Sequence, residues 1–319
     1  MLLHAGVGEE VGEHCERRLP GTRDPAPVRR GVSAVVVGGV VLLGGCSGGS
    51  SSNAGPSSAR SSAATTTVTT APLRFDSPTA LITTLTAIER GLRTPGDTDA
   101  ATLGRAQVRA YGTLVSHPEW RAAVTAGVPT DVQAVVAANL DAAASLESLT
   151  TGGPPSTTLP RWTVRAPLPE ATLLGYYQEA QAATGVPFGY LAGIHLIESR
   201  LGRIMGPSSA GAQGPMQFLP ATWATYGRGG NIDDDHDSIL AAARLLAAHG
   251  GAANITRALL SNNDDQRYAR AVQDYAGVLA ANVAAFDGYY QWPVVYETST
   301  GTYELPDGYP TQPAIRRSG

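Results

Sequence analysis

Apolar and polar positions along the chain divide it into regions of different character. Residues 46–72 are almost entirely Ser, Thr, Ala and Gly, and such a segment buries too little apolar surface to fold, so it predicts a flexible tether. Further on, apolar residues recur at intervals of three and four, the period of amphipathic helices. We therefore predict a mainly α-helical protein, with a small helical subdomain over residues 73–150 and a larger helical module over residues 169–290.

The subdomain is predicted to contain three helices. Ser77-Pro78 and Thr130-Asp131 are residue types that begin helices, and residues 117–120, His-Pro-Glu-Trp, predict a corner between the second helix and the third. No cluster of ionisable residues stands out here, so the region should pack beside the larger module, with a separate binding role as the alternative. The predicted helices cover residues 76–91, 97–116 and 130–149.

The larger module is predicted to contain six helices. The second of them is apolar nearly all round, and Gly202 marks a position at which it could stop. The segment before the module, residues 151–168, opens with a run of Gly and Pro and predicts a linker. The predicted helices cover residues 170–184, 187–201, 220–227, 237–249, 255–261 and 266–286.

The C-terminal segment, residues 291–319, shows a different period. Apolar and polar residues alternate over residues 291–310, on both sides of Thr300-Gly301. Alternation around a turn of this kind is typical of a β-hairpin. We expect a short hairpin and a tail that cover one flank of the module.

The first 45 residues are organised like an export signal. Arg29-Arg30 precede an apolar run over residues 31–45 that is too short for a comfortable transmembrane helix. Residues 43–46, Leu-Gly-Gly-Cys, resemble the box at which bacterial lipoproteins are cleaved and diacylated. We therefore expect export, with a lipid anchor at Cys46 that holds the protein on the outer face of the cytoplasmic membrane, or secretion to the cell wall.

Composition narrows the class of protein. A chain of 319 residues with 43% hydrophobic residues is long and apolar enough for a packed core. The net charge of −4, without a basic stripe, argues against a nucleic-acid partner. Both cysteines, Cys15 and Cys46, precede the first predicted helix. No disulfide framework or cysteine metal site is therefore available to the folded part.

One carboxylate stands apart from the others. Glu198 is near the end of the apolar helix and shares a stripe with Leu191, Ile194 and Leu201, so it should point inward. Burial and the negative end of the helix dipole would both raise its pKa, which suits a general acid near neutral pH. The alternative is an exposed terminal residue, or one neutralised by a neighbouring arginine at 200 or 203.

Two groups of polar residues invite a metal-site interpretation. His195 lies three residues before Glu198, but no second histidine completes a zinc pattern, so we expect a packed histidine. Residues 231–237, Asn-Ile-Asp-Asp-Asp-His-Asp, lack the spacing, central Gly and terminal Glu of a calcium-binding EF-hand loop. A helix cap followed by a solvated turn is the better interpretation. We therefore predict no metal and no other cofactor.

The segment after the apolar helix contains several Gly and Pro residues, and its sequence resembles that of a known protein family. Glu198-Ser199, then Gly-Pro-Met-Gln at residues 214–217 and Phe-Leu-Pro-Ala-Thr-Trp at residues 218–223, resemble the first two motifs of the lytic transglycosylases related to goose-type lysozyme. The resemblance implies that Glu198 is the catalytic acid and that the following residues bind substrate: Ser199, Ser208, Ser209, Gln213, Met216, Gln217, Asn263 and Tyr268.

The third motif of that family is matched only in part. The family carries Tyr-Asn, a short polar turn and another Tyr. Asn263 matches the Asn and Tyr268 the later Tyr, but Asn262 stands where the first Tyr is expected. That Tyr helps to position the acid and the sugar, and Tyr226 or Tyr275 could fill its space.

The resemblance covers roughly residues 169–280 and implies a lysozyme-like helical fold. The implied substrate is peptidoglycan, cut at the β-1,4 bond between N-acetylmuramic acid and N-acetylglucosamine with a 1,6-anhydromuramyl product. Glycan strands are then the expected partner, while protein partners stay unknown. The alternatives are a muramidase, in which Asp233, Asp234 or Asp235 holds a water molecule, and a weakened module that binds peptidoglycan without cutting it.

Overall fold

A computed structural model describes residues 73–94, 99–150 and 156–317. Within these ranges the protein is mainly helical, as predicted, with a small sheet near the C-terminus. No described helix combines the length and the apolar character needed to cross a bilayer. The following predictions lie outside the described residues: the export signal over residues 1–45, the lipidation site at Cys46, the tether over residues 46–72 and the first part of the linker.

The N-terminal region contains four helices where three were predicted. The extra helix, α3, occupies the expected corner, because Pro118 suits the first helical position and Glu119 complements the dipole in the first turn. The ring of His117 stacks on Trp120 at 4.0 Å between centroids and fixes the entry to this helix. The four are α1 (Pro78–Leu92), α2 (Ala100–Ser116), α3 (Pro118–Gly127) and α4 (Thr130–Thr150).

The larger region contains seven α-helices and a short 3-10 helix, Gly251–Asn254. The helix predicted over residues 266–286 is wrong, because Asn282 leaves the helical conformation and its Oδ1 accepts a hydrogen bond from Ala284 N at 2.9 Å. The α-helices are α5 (Glu170–Thr184), α6 (Phe188–Ser199), α7 (Pro220–Tyr226), α8 (Asp235–Ala248), α9 (Ile255–Asn262), α10 (Gln266–Ala281) and α11 (Ala285–Tyr290).

In the part of the chain that the structure describes, five short strands form two antiparallel sheets. The predicted hairpin is confirmed, since β3 (Val294–Thr298) pairs with β4 (Gly301–Leu305) across the expected turn, and β5 (Ile315–Arg316) adds to its edge. In the other sheet, β1 (Thr163–Val164) pairs with β2 (Ile204–Met205). Strand β1 lies in the segment predicted as a linker, so the described part of that segment is held against the region that follows α6.

A single cluster of buried apolar side chains extends through both helical regions. Helix α4 lies along α10, α10 along α6, and α2 along α11. The predicted subdomain therefore shares its core with the larger module. Helix α10 connects the two, because one side packs on α4 and another on the helix that carries Glu198.

A buried polar cluster lies between the two regions, where no ionisable cluster was expected. Gln107 Nε2 and the Tyr111 hydroxyl donate to Glu89 Oε1 at 3.0 and 2.6 Å, and the Tyr289 hydroxyl donates to Asn139 Oδ1 at 2.6 Å. Burial raises the pKa of Glu89 despite the hydrogen bonds it accepts. The cluster joins α1, α2, α4 and α11 and fixes their mutual register.

The pKa of a second carboxyl, that of Glu170, indicates how the stability of the fold depends on pH. Burial, followed by the hydrogen bond and charge of Asp287, raises the pKa of Glu170 from 4.5 to about 8. The folded protein therefore keeps a proton that the unfolded chain loses, and this contribution is complete below pH 4.5 and disappears as pH rises through 8.

We expect the melting temperature of Glu170→Gln to fall less between pH 5 and pH 9 than that of the parent, because the amide keeps its hydrogens at every pH. Calorimetry measures this difference. Asp264→Asn, at an exposed position, is the control and should follow the parent. A Glu170→Gln curve parallel to the parent would show that Glu170 makes no such contribution.

Candidate functional site

The site is built around the end of helix α6. Nearly every residue of α6 is buried, as its apolar sequence predicts. The helix ends at Ser199, earlier than the predicted stop, because Arg200, Leu201 and Gly202 adopt left-handed backbone angles with φ of 55°, 59° and 78°. Glu198 is therefore in the last turn.

Glu198 points into the protein, as predicted, with 8% of its surface exposed. The Tyr268 hydroxyl donates to Glu198 Oε1 at 2.7 Å. The contacts of the two neighbouring arginines lead toward the C-terminal segment: Arg203 pairs with Asp307 at 2.9 Å, and the Arg200 guanidinium lies over the Trp292 ring at 5.2 Å. The alternative of an exposed terminal residue is wrong.

The residues of the third motif meet at this carboxyl. Asn262 is the last residue of α9, Tyr268 is in the first turn of α10, and both are buried. Asn262 Nδ2 donates to the Tyr268 hydroxyl at 2.9 Å. Asn263, also buried, begins the turn between these helices. The residue that departs from the family motif is thus joined to Glu198 through Tyr268.

The two tyrosines suggested as substitutes for the missing one have other contacts. The Tyr226 hydroxyl bonds His249 Nε2 at 3.0 Å. The ring of Tyr275 packs against Tyr289, with centroids 5.4 Å apart, and against Trp292, with centroids 5.8 Å apart. In this structure the hydrogen bond to the Tyr268 hydroxyl comes from Asn262, the residue at the position of the missing tyrosine.

Two of the predicted substrate-binding residues have packing roles. The Ser199 hydroxyl is fully buried, donates to Pro215 O at 2.5 Å and accepts from Gly202 N at 3.0 Å. Met216 is in the core. Ser199 thereby ties the end of α6 to the Gly- and Pro-rich loop. Substrate contacts for both residues stay a prediction.

That loop is closed by Gln217. Its backbone is left-handed, with φ of 50°, and its Nε2 donates to Gly214 O at 2.9 Å and to Gly206 O at 3.3 Å. Backbone hydrogen bonds of 2.8 Å in both directions join Gln213 and Phe218. The loop therefore has a fixed shape beside the end of α6.

The remaining predicted residues are nearer the surface. Ser208 Oγ accepts from Ala212 N at 3.0 Å and so shapes its own turn. Ser209 and Gln213 have exposed side chains. Among the described residues predicted to bind substrate, these two are the exposed ones, which makes them the most accessible to a ligand.

A side chain at Gly214 should destabilise this loop. The φ of Gly214 is +73°, and a Cβ there would clash with the carbonyl oxygen of Ile232. We expect Gly214→Ala to lower the free energy of unfolding by about 1–3 kcal/mol more than Gly211→Ala. Gly211 is the matched control, because its φ is +79° but a Cβ would meet nothing within 4 Å. Urea titration of both variants measures the difference, and equal losses would contradict the clash.

A buried polar network connects α6 to the turn that follows it. His195 is fully buried, as predicted, and its Nδ1 bonds the Tyr177 hydroxyl at 2.7 Å. Its Nε2 faces Asp235 Oδ1 at 3.4 Å, and the other oxygen of Asp235 accepts from Arg165. Arg165 Nε also donates to Gly202 O at 2.8 Å. The network therefore holds both the helix and the left-handed turn that ends it.

The charge of Asp235 is stabilised within this network. Burial raises the pKa of this carboxyl, but the hydrogen bonds and charges of His195 and Arg165 outweigh burial and leave the pKa below its ordinary value. Sequence reasoning missed both Arg165, which lies in the predicted linker, and this role of Asp235. The signal available was a histidine one helical turn before Glu198.

The acidic run before α8 behaves as a helix cap, as predicted. Asp234 Oδ1 accepts from Asp237 N at 3.0 Å, and Asp237 Oδ2 accepts from Asn231 N at 2.8 Å. The helix starts at Asp235, two residues before the predicted start. Potential ligand atoms of Asp234, His236 and Asp237 lie within 4.8 Å of one another, but backbone amides already account for the positions of both carboxylates.

Comparisons of the chain with protein-family models, with curated proteins and with solved structures found no match. Function must therefore be inferred from Glu198 and the groups around it. These are a buried carboxyl, a phenol that donates to it, and a tightly turned loop tied to the same helix end.

Proposed function

We propose that the protein is a lytic transglycosylase with a lysozyme-like arrangement of helices. Its substrate would be peptidoglycan, cut at the β-1,4 bond between N-acetylmuramic acid and N-acetylglucosamine. The observation that carries the proposal is the environment of Glu198. This carboxyl is buried at a helix end and accepts a hydrogen bond from the Tyr268 hydroxyl. Tyr268 matches the later Tyr of the family's third motif.

In the first step Glu198 acts as a general acid. It gives its proton to the glycosidic oxygen, the bond from that oxygen to the muramyl C1 breaks, and N-acetylglucosamine leaves with a free 4-hydroxyl. The acetamido group of the substrate supports the cation-like C1. Hydrogen-bond donation from Tyr268 stabilises the carboxylate left on Glu198.

In the second step the same residue acts as a base. The Glu198 carboxylate takes the proton of the muramyl 6-hydroxyl, and O6 bonds to C1 to close the 1,6-anhydro ring. No water is consumed, and Glu198 returns to its protonated form. One carboxyl therefore suffices, whereas most glycosidases use two.

The surroundings of the other carboxylates favour this single-carboxyl mechanism. Asp235 is buried and paired with Arg165, and Asp234 caps α8. A muramidase would need one of these, or the exposed Asp233, to hold a water molecule for attack. Asp234 and Asp235 are therefore committed to structural contacts.

The proposed location follows from the N-terminal sequence. An exported protein anchored through Cys46, or secreted to the cell wall, would meet peptidoglycan strands outside the cytoplasmic membrane. The tether over residues 46–72 would let the folded part reach the strands.

The test is incubation of the protein with purified peptidoglycan, followed by mass spectrometry of the soluble fragments. We expect fragments that end in anhydromuramic acid, which is lighter by one water than a reducing muramic end. Reducing ends would indicate a muramidase instead. Binding to the insoluble glycan without any release would favour the weakened module, a function that the replacement of the motif Tyr by Asn262 suggests.

A further inference from the structure

We infer that Asn262 is a positioning residue whose side-chain amide directs the proton of Tyr268 toward Glu198. The inference deepens the proposed function and rests on it, because it concerns the carboxyl that would act as acid and base. It assigns a role to the residue at which the chain departs from the family motif.

Two successive hydrogen bonds connect Asn262 to Glu198. Asn262 Nδ2 donates to the Tyr268 hydroxyl at 2.9 Å, and that hydroxyl donates to Glu198 Oε1 at 2.7 Å. Asn262 is 2% exposed, Tyr268 is 0% exposed and Glu198 is 8% exposed. In such surroundings a hydrogen bond is stronger than in water, and its direction is correspondingly better defined.

The direction follows from the chemistry of the donors. An amide nitrogen carries hydrogens and accepts none, so the phenol oxygen must use a lone pair to meet Asn262. A phenol has one hydrogen, which then goes to Glu198. A tyrosine in place of Asn262 could donate or accept, and would leave this direction open.

The position of Asn262 is itself held by the fold. It closes α9, whose start is capped by Asn254 Oδ1 accepting from Arg257 N at 3.2 Å, and α9 packs on α8 and α10. Its amide is thereby held toward a residue on the next helix. Glu198 Oε1 consequently accepts the hydrogen bond of the Tyr268 hydroxyl.

Three substitutions separate this role from a purely structural one. Asn262→Leu removes the donor at similar volume, Asn262→Asp replaces it with an acceptor, and Tyr268→Phe removes the proton. The measurement is the pH titration of the Glu198 side-chain carbon by NMR in the full chain, assigned by its loss in Glu198→Gln. It needs no substrate.

We expect the Glu198 midpoint to rise by about one pH unit in Asn262→Leu, because the Tyr268 hydroxyl is then no longer held with its hydrogen toward the carboxylate. The rise should be larger in Asn262→Asp, which turns the phenolic proton away and places a second negative charge nearby. Asn262→Asp has the same shape as the parent residue and keeps the test open if the Leu variant fails to fold.

The decisive comparison is the double variant. In the Tyr268→Phe background, Asn262→Leu should leave the Glu198 midpoint unchanged, because the path through the phenol is gone. Equal shifts in both backgrounds, or no shift from either Asn262 substitution, would overturn the inference. If the titrations were as expected but the protein failed to cleave peptidoglycan, the proposed function alone would be refuted.

Discussion

Replacing Glu198 with Gln should reduce the rate of glycan cleavage by about 10²–10⁴-fold, the contribution typical of a positioned general acid and base. The amide has the shape of the carboxyl but can neither give a proton to the glycosidic oxygen nor take one from the 6-hydroxyl. The measurement is the release of soluble fragments from purified peptidoglycan under conditions in which the parent rate is linear.

The control for this experiment is Glu179→Gln, the same substitution at an exposed residue of α5. It should keep the parent rate. Glu198→Gln must also melt as a folded protein and still bind insoluble peptidoglycan, so that lost chemistry is separated from lost structure. If Glu198→Gln retained more than a tenth of the parent rate, another group would have to supply the proton.

The second large effect is expected at Asp235. Asp235→Ala should lower the free energy of unfolding by roughly 1–3 kcal/mol, because the buried His195 Nε2 loses the carboxylate it faces and Arg165, whose side chain is 38% exposed, loses its charge partner. The turn after α6 should loosen with it, since Arg165 also holds Gly202 O. Urea titration gives the free energy of unfolding, and peptidoglycan release should fall in parallel.

The pH dependence provides an independent check on Asp235. Its pKa in the folded state is below the ordinary 3.8, so the stability it contributes is present above about pH 4 and is lost as pH falls through the folded value. The difference between parent and Asp235→Ala should therefore shrink in acid. Asp233→Ala, at an exposed position two residues earlier, is the control and should lie within about 0.5 kcal/mol of the parent. An Asp235→Ala loss of similar size would mean that the pair is not stabilising.

Periodicity and punctuation predicted most helices because both act locally. Helix α5 ends at Gly185, which adopts the left-handed conformation that Gly tolerates best, and α7 begins at Pro220 and ends before Gly227. The hairpin around Thr300 followed from alternation. Such signals lie within a few residues of the feature they determine.

The helix boundaries that were wrong depend on competing local choices. Pro118 can mark either a corner or the start of a helix, and the structure uses it to start α3. The pattern of apolar residues continues through Asn282, but Asn282 leaves the helical conformation, and its side chain accepts a hydrogen bond from Ala284 N in the turn before α11. Periodicity alone does not resolve these cases.

The buried polar networks could not be predicted from the sequence for a different reason. The period of a helix shows that His195 and Glu198 face inward, but not what they meet. Arg165 and Asp235 are 70 residues apart in the chain and become neighbours only through the packing of α8 and β1 around α6. Glu89 likewise finds its partners on two other helices, α2 and α4.

For the candidate site, the sequence predicted that Glu198 is buried, and it named Tyr268 as a residue that binds substrate and not as the donor to Glu198. It did not predict that Asn262 would be joined to the acid through that phenol, because hydrogen-bond partners depend on how α9 and α10 approach α6. The raised pKa expected for Glu198, and the glycan contacts expected for Ser209 and Gln213, stay predictions.

The most direct test of the proposed reaction is digestion of peptidoglycan in water enriched in ¹⁸O, with immediate borohydride reduction to fix any reducing ends. Ring closure by the muramyl 6-hydroxyl uses no oxygen from water, so the new ends should be unlabelled, resistant to reduction and one water lighter than muramic ends. New ends that carry ¹⁸O and are reduced by borohydride would show hydrolysis and contradict the single-carboxyl mechanism proposed for Glu198.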